Sequence, residues 1–295
     1  MIDLHTHSRA SDGSLTPSQL IQAAKERGIS ALALTDHDTV DGLEEARVEA
    51  VKAGIRFIPG IELEIRYENE AGASAVSGEF HLLGLGLREI GPGFRETLTD
   101  LGRRRENRNL QILDRMVEQG IQAEYSEVQA LSGGGSVGRP HFADLLVKRG
   151  IVKNREQAFD RFLGKGRPLY IPKEGLEFTR ALSLVRDAGG IPVLAHPMSL
   201  YIAWGRLPDF IADLAAQGLA GIEAWHPTTK VQACKRLEEL GRSLGLYITA
   251  GSDFHGESRP DRKLGITAGG LKIDDFFLDS IPPLQNLPEN AIIQE

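Results

Sequence analysis

The chain of 295 residues holds one cysteine, Cys234, so no internal disulfide can form and a disulfide-stapled scaffold is excluded. That cysteine lies in a Lys/Glu-rich helical pattern and reads as a helix-packing or surface residue. Its isolation fits a reducing cytoplasm. Long apolar runs are missing as well: no stretch approaches the roughly 20 residues that a membrane-spanning helix needs. The opening Met1-Ile2-Asp3-Leu4-His5 lacks the basic start and apolar run of a signal peptide. The expectation is a cytoplasmic protein with no membrane partner, and nothing calls for an obligate protein partner.

What is present is ordinary in bulk: 41% hydrophobic and 25% charged residues, in a chain long enough for one large α/β domain or two smaller ones. The net charge of −7 is unevenly spread. Between Glu89 and Lys173 there are 15 Lys/Arg and 11 Asp/Glu, while the remainder has 19 basic and 30 acidic residues. Solvated helices would explain this. So would an acidic body that holds cations, joined to a basic segment that receives an anion.

Short apolar runs alternate with amphipathic patterns in the first third. Ile2–Leu4 reads as a strand, and Leu15–Arg27 as a helix with Thr16 as N-cap, Pro17 in the first turn, Gln19 completing a capping box and Gly28 as the stop. Strands are expected at Ala31–Thr35, Phe57–Ile65 and Phe80–Leu87, with a helix running to about Val51 and ending at Gly54. After Gly91-Pro92-Gly93 the pattern becomes helical from Phe94 to about Leu163, broken at Ser132-Gly133-Gly134-Gly135-Ser136 and near Gly150. The β/α rhythm then resumes: helix Thr179–Ala188, strand Ile191–Ala195, helix Pro208–Gln217, strand Gly221–Ala224, a helix to about Leu244 and strand Leu246–Ala250. The tail from Ile273 looks irregular. This describes an α/β barrel-like body, residues 1–92 with 166–295, interrupted by a helical insertion at 93–165.

The chemistry-bearing residues share one placement. His5 and His7 follow the first strand; Asp36, His37 and Asp38 follow Ala-Leu-Ala-Leu-Thr; Glu62 follows Phe-Ile-Pro-Gly-Ile. His196 follows Pro-Val-Leu-Ala, His226 follows Gly-Ile-Glu-Ala-Trp, and Asp253 and His255 follow Tyr-Ile-Thr-Ala-Gly-Ser. Strand C-termini converge on one face of an α/β barrel, so these residues would meet. His81 is the exception, lying inside a strand pattern, where an inward direction must be assumed. A lone strand histidine is usually a packing or surface group. Seven of eight histidines in such contexts would bury several polar groups without partners unless they share a purpose. Imidazole and carboxylate without thiolate suit Mn²⁺, Fe²⁺ or Zn²⁺, and the number of ligands points to two or three ions sharing a bridging carboxylate.

His5-Thr6-His7-Ser8 with Asp12-Gly13, Thr35-Asp36-His37-Asp38, Pro59-Gly60-Ile61-Glu62, Ala195-His196-Pro197 and Gly251-Ser252-Asp253-Phe254-His255 resemble the successive motifs of the polymerase and histidinol phosphatase (PHP) family, from residue 1 to about 266. The insertion, with Gly138-Arg139-Pro140-His141, is similar to the branch acting on nucleoside 3′,5′-bisphosphates and short RNA 5′ ends. The resemblance implies a distorted (β/α)₇ barrel with a trinuclear centre. One ion would be held by His5, His7, Glu62 and Asp253. A second would share Glu62 and take His81 and His196, and a third would take Asp12, His37 and His255. Mn²⁺ is the expected metal, with Fe²⁺ or Zn²⁺ as alternatives, activating a shared water for in-line attack on phosphorus. Asp36 would orient His37 or a neighbouring imidazole, or else serve as a turn or helix-start carboxylate. His226 would donate a proton to the leaving oxygen, hydrogen-bond the phosphate, or act as an outer structural histidine.

Substrate selection is expected from the insertion. Arg104, Asn107, Arg108 and Gln111 fall on one helical face, Arg139 follows the glycine-rich loop, and Arg167 and Lys173 flank the return to the barrel; guanidinium groups among these would grip a second phosphate. Phe178, Tyr170 or Trp204 would stack on a base. The expected activity is hydrolysis of a nucleotide phosphate monoester, above all the 3′-phosphate of a nucleoside 3′,5′-bisphosphate, with trimming of short RNA from its 5′ end. The alternatives are a histidinol-phosphate or other small-metabolite phosphatase, a metal-dependent amide hydrolase and a non-catalytic regulatory module.

Overall fold

The Thr16 hydroxyl accepts the Gln19 amide, and the Gln19 side chain returns to the Thr16 amide. This reciprocal cap contributes about 1 kcal/mol and starts the first helix where the sequence places it. The computed structural model describes residues 1–67, 76–132 and 135–287; Gly133 and Gly134 of the expected break lie outside them.

Strands β1 (Ile2–Asp3) and β2 (Ala31–Leu34) flank helix α1 (Pro17–Glu26), and helix α2 (Leu43–Ala53) leads to β3 (Arg56–Arg66). Gly54 ends α2 in the left-handed conformation that glycine tolerates (φ 71°). β4 (His81–Leu85) precedes the insertion, which contains α3 (Pro92–Glu118), α4 (Tyr125–Leu131), α5 (Arg139–Lys148) and α6 (Arg155–Ala158), continued by a π-helical turn, Phe159–Leu163. The chain re-enters the sheet through a two-residue strand, β5 (Leu176–Glu177), which the sequence pattern does not announce. α7 (Phe178–Asp187), β6 (Ile191–Leu194), α8 (Leu207–Gln217), β7 (Gly221–Trp225), α9 (Val231–Ser243) and β8 (Tyr247–Ala250) complete the wall.

The strands follow the order β1-β2-β3-β4-β6-β7-β8, with β5 attached to β3. All neighbours are parallel except β4, which is antiparallel to both β3 and β6. No helix separates β3 from β4 among the described residues, and a parallel neighbour would need such a crossover. The first and last strands approach at a Thr6–Phe254 bridge, where the His7 amide bonds the Phe254 carbonyl (2.9 Å) and the Asp253 amide bonds the His5 carbonyl (2.9 Å). The result is a nearly closed α/β barrel of seven mixed strands.

Alternation divides the barrel wall. Leu32 and Leu34 pack outward against the helices, whereas Ala31 and Ala33 join Ile2, Ile58, Leu83 and Val193 in the interior. The tail is more ordered than its sequence suggests: α10 (Phe276–Asp279) and α11 (Pro282–Gln285) deliver Leu278, Ile281 and Leu284 to the interior cluster. They sit beside Ile2 and Ile191, the starts of parallel strands, and so fill the end opposite the strand C-termini. The insertion has an apolar cluster of its own, including Met116, Phe142, Leu146 and Leu163 and reaching Leu169 and Ile171; the first half of α3 packs Phe94 and Leu101 on the barrel. Cys234 is buried on α9.

Candidate metal centre

The strand ends bring His5, His7, Glu62 and Asp253 into one group. Their facing atoms are 3.1 Å apart for His5 Nε2–His7 Nε2, 3.4 and 3.2 Å for these nitrogens to Glu62 Oε2, and 3.5 and 3.2 Å to Asp253 Oδ1. Ligands about 2.1 Å from one ion are separated by about 3.0 Å in octahedral and about 3.4 Å in tetrahedral geometry, so the spacing suits a shared cation. Glu62 turns its other oxygen to a second set, with Oε1 2.8 Å from His81 Nδ1 and 3.0 Å from His196 Nε2. A third set is looser: His255 Nε2 lies 3.2 Å and His37 Nε2 4.0 Å from Asp12 Oδ1. The exception among the expected ligands is explained by strand direction. Because β4 is antiparallel, its first residue, His81, lies at the C-terminal end of the parallel strands, opposite Glu64 in the register.

Partners outside the cluster fix the imidazoles. His5 donates through Nδ1 to Glu223 Oε1 (3.0 Å), His81 through Nε2 to Glu64 Oε2 (2.9 Å), His196 through Nδ1 to Ser199 Oγ (2.7 Å) and His255 through Nδ1 to the Asp253 carbonyl (2.8 Å). Each bond assigns the tautomer and leaves a lone-pair nitrogen facing the cluster. Glu62 Oε2 meanwhile is buried with no hydrogen bond among the described residues, although nitrogens of His5, His7 and His37 stand 3.0–3.4 Å away. A buried carboxylate oxygen ringed by three imidazole nitrogens fits a cation.

The electrostatics agree. Burial works against charge on His5, His7 and His81, yet the surrounding carboxylates outweigh it and raise all three, His7 to about 9. Burial likewise opposes ionisation of Asp12, Glu62 and Asp253, but the facing imidazoles, with Arg262 at Asp253, hold these carboxyls well below their usual range. His37 goes the other way: burial lowers it to about 3. With protons alone the cluster balances its carboxylates by charging imidazoles; divalent ions would do so without them.

Backbone strain collects here. Of the four non-glycine residues with positive φ among the described residues, Asp38 (52°), His196 (26°) and Asp253 (50°) belong to or border this cluster. Each such conformation costs about 1–3 kcal/mol and needs local support. Glu223 Oε2 accepts the His196 amide (2.8 Å), and Arg262 donates to both the carboxylate and the carbonyl of Asp253. Gly251 has no room for a side chain: a Cβ would lie 2.3 Å from His5 Cβ and 2.6 Å from Glu223 Oε1.

Asp36, His226 and His141 each have defined partners. Asp36 accepts from the Ser8 amide (2.8 Å) and hydroxyl (2.6 Å) and from the Ser11 hydroxyl, so it pins the loop that carries Asp12. His226 lines the cleft with both nitrogens engaged: Nδ1 accepts from the Thr228 amide (3.3 Å) and Nε2 donates to Asp253 Oδ2 (3.1 Å). His141 accepts the Gly138 amide through Nδ1 (2.9 Å) and caps α5. Glu64, Glu223, Arg105 and Arg262 are the contributors that the sequence reading overlooked. Glu64 had a signal, being two residues past Glu62 on an alternating strand; so did Glu223, a carboxylate within an apolar strand.

Over the cluster, α3 and α5 form a cationic wall. Arg104, Arg105, Arg108, Arg139 and Lys173 line the cleft, with Arg259 and Arg262 on the barrel side. Asn107, Gln111 and Arg167 are exposed and lie outside the lining. The face of α3 turned inward is Leu101-Arg104-Arg105-Arg108, because Ile112 and Met116 anchor the helix in the insertion core. Arg108 is buried and Nε has no partner; burial and then the charges of Arg105 and Arg139 lower it to about 10. Arg139 pairs with Glu79 (3.5 Å) and lies over the Tyr170 ring (5.6 Å). Phe178 is enclosed in the barrel core beside Phe80 (5.5 Å), and Trp204 is covered by Arg236 (4.0 Å). Among the described residues no helix is long and apolar enough to cross a membrane.

Comparison with known proteins gives matching results. The PHP domain pattern matches residues 3–165. A 5′-3′ exoribonuclease of Haemophilus influenzae is 34% identical over 86% of this chain and 89% of its own length. A 3′,5′-nucleoside bisphosphate phosphatase of Chromobacterium violaceum is 32% identical over 90% and 91%. A solved structure from Chromobacterium violaceum, reported as an amidohydrolase with bound sulfate, superimposes with a TM-score of 0.80 at 31% identity, covering 90% of each chain.

Proposed function

The chain belongs to the PHP domain family, and from that footing we propose that it is a metal-dependent hydrolase of phosphate monoesters on nucleotides. The substrate assigned is a nucleoside 3′,5′-bisphosphate, cleaved at its 3′-phosphate to the 5′-monophosphate, with trimming of short RNA from the 5′ end as a related activity. The names of the bisphosphate phosphatase and exoribonuclease relatives support this reading. The observation that carries it is Arg108, a buried guanidinium on the cleft wall that, among the described residues, has no carboxylate hydrogen-bonded to it and no partner for Nε. Burial and the neighbouring Arg105 and Arg139 outweigh the more distant carboxylates of Glu64 and Asp38, so charge on this guanidinium is costly, and a second phosphate beyond the metal cluster would supply a directly bonded counter-charge.

In this reading the barrel, residues 1–92 with 166–295, supplies the chemistry and the insertion, 93–165, supplies selection. His5, His7, Glu62 and Asp253 would hold one divalent ion, Glu62 with His81 and His196 a second, and Asp12, His37 and His255 a third. Imidazole and carboxylate ligands suit Mn²⁺, with Fe²⁺ or Zn²⁺ as alternatives. Bound there, such ions make water nucleophilic near neutral pH and neutralise charge on the phosphoryl group. Asp253 would touch the reacting centre through Oδ1 while His226 and Arg262 hold Oδ2. The proton on His226 faces Asp253, so its delivery to a leaving oxygen requires that hydrogen bond to be exchanged. Arg108, Arg139, Arg104 and Lys173 would receive the second phosphate, and Tyr170, already stacked by Arg139, would border the base.

Mn²⁺-loaded protein should be assayed on adenosine 3′,5′-bisphosphate, AMP, short 5′-phosphorylated RNA, histidinol phosphate and an amide panel. The bisphosphate is expected to outpace AMP. Turnover of histidinol phosphate alone, or of amides alone, would sink the assignment. Loss of turnover in Asp253→Asn separates an enzyme from a non-catalytic module.

A further inference from the structure

The three cation sets differ in what supports them. His5, His7, Glu62 and Asp253 are at most 7% exposed and are braced from within the barrel by Glu223, Arg262 and the seam between the first and last strands. Asp12 and His37 are 22% and 20% exposed and hold their facing atoms 4.0 Å apart; Asp12 stands on a turn, and His37 lies past the end of β2, joined to Glu62 by an isolated bridge.

Each loop of this outer set has an insertion residue on it. Arg105 of α3 donates to the Asp38 carboxylate, one residue past His37, and to Ser136 Oγ (3.3 Å). Gly135 sits directly on the turn before Asp12, since a Cβ there would lie 2.0 Å from the Arg9 carbonyl oxygen and 2.9 Å from that of Ser11. Arg155 of α6 donates to the Ser258 carbonyl (2.8 Å), three residues past His255, and is itself fixed by both oxygens of Asp144 (2.5 and 2.6 Å). Three separate contacts thus reach the three loops bearing Asp12, His37 and His255.

We propose that the insertion assembles this outer cation subsite, so that affinity for the third ion depends on how the insertion is docked, while the inner sites do not. The inference rests on the reading of these residues as metal ligands and adds which part of the chain controls one of the ions. Linkage makes the coupling reciprocal: an anion that draws the insertion's arginines onto the cleft tightens the outer ion, and that ion tightens the anion. It also gives Arg105 and Arg155 a positioning role independent of substrate contact, Arg155 standing outside the cleft lining.

The test is Mn²⁺ binding to the full chain, by calorimetry and by metal content after dialysis, in wild type, Arg155→Ala, Asp144→Asn and Gly135→Ala. Wild type should bind three ions. The variants should weaken the loosest by about tenfold or more, the usual cost of losing an outer support, while the two tight ions stay within about twofold and report an intact barrel. Arg155→Lys should recover part of the loss. Unchanged affinities in Arg155→Ala and Gly135→Ala, or equal weakening of all three ions, would overturn the proposal. A wild-type protein that binds two ions and still hydrolyses phosphate esters would overturn it while leaving the proposed reaction standing. One that binds three ions and hydrolyses none would do the reverse.

Discussion

In the barrel, polar side chains are buried deeply and answered mainly by one another: carboxylates face imidazoles, and imidazoles lean on further carboxylates. The insertion has an ordinary apolar core, and it presents Arg104, Arg105, Arg108 and Arg139 to the cleft. The barrel's polar groups are therefore fixed before any ligand arrives, whereas on the insertion Arg104, Arg105 and Arg139 are ion-paired and Arg108 has no carboxylate partner among the described residues. In the proposed reading, preorganised chemistry and adjustable selection are assigned to different parts of the chain, and substitutions should separate them.

The largest effect is expected at the shared carboxylate. Glu62→Gln removes a charge facing two sets at once and should cost several kcal/mol of transition-state stabilisation, about 10³-fold or more in kcat/KM, with loss of bound metal. If Glu62→Gln retained wild-type metal content, the assignment of metal binding to the barrel's shared carboxylate would be wrong. Next comes Arg108→Ala, where loss of a charge-assisted bond worth about 1.5–3 kcal/mol should raise KM for the bisphosphate by about 10- to 100-fold and leave a single-phosphate substrate nearly unaffected. Equal losses on both substrates would place Arg108 in the common machinery. Glu223→Gln should weaken metal binding by about 10- to 100-fold, because a glutamine oxygen can accept from only one of the two donors that Glu223 satisfies, His5 Nδ1 and the His196 amide; dialysis against a chelator reads this directly.

A smaller effect comes from pH. With its folded pKa raised to about 9 from the usual 6.5, His7 contributes stability to metal-free protein that is complete below pH 6.5 and lost as pH rises through 9. The melting temperature of metal-free protein should fall across that window, and bound Mn²⁺, which replaces the proton, should remove the fall. The smallest effect is expected at Arg167, exposed and away from the cleft: Arg167→Ala should change kcat/KM by less than about twofold, as surface substitutions usually do. A larger loss would extend the cationic wall beyond its present edge.

Most of the barrel could be read in advance because strand C-termini in such folds share a face, and sequence alone marks where a strand ends. His81 was harder, since its direction depends on β4 running antiparallel, a consequence of the connection between strands rather than of any residue in them. Glu64 and Glu223 escaped for a related reason: a carboxylate on a strand reads as solvent-facing until its neighbours are known to be imidazoles. On α3 the helical period was clear but its phase was not. Packing of Ile112 and Met116 turned Arg105 toward the cleft and left Asn107 and Gln111 in solvent.

The seam where Thr6 meets Phe254 has a consequence for synthesis. His5 and Asp253, whose facing atoms lie 3.5 Å apart, are separated by nearly the whole chain. A growing polypeptide can form α1, β2 and α2 early, but the pair that closes the inner group waits until the last strand has been translated. Under the proposed metal reading, capture by this group would be a late event in maturation, since such long-range closure is slow. A chain truncated before residue 253 would be unable to assemble that inner group.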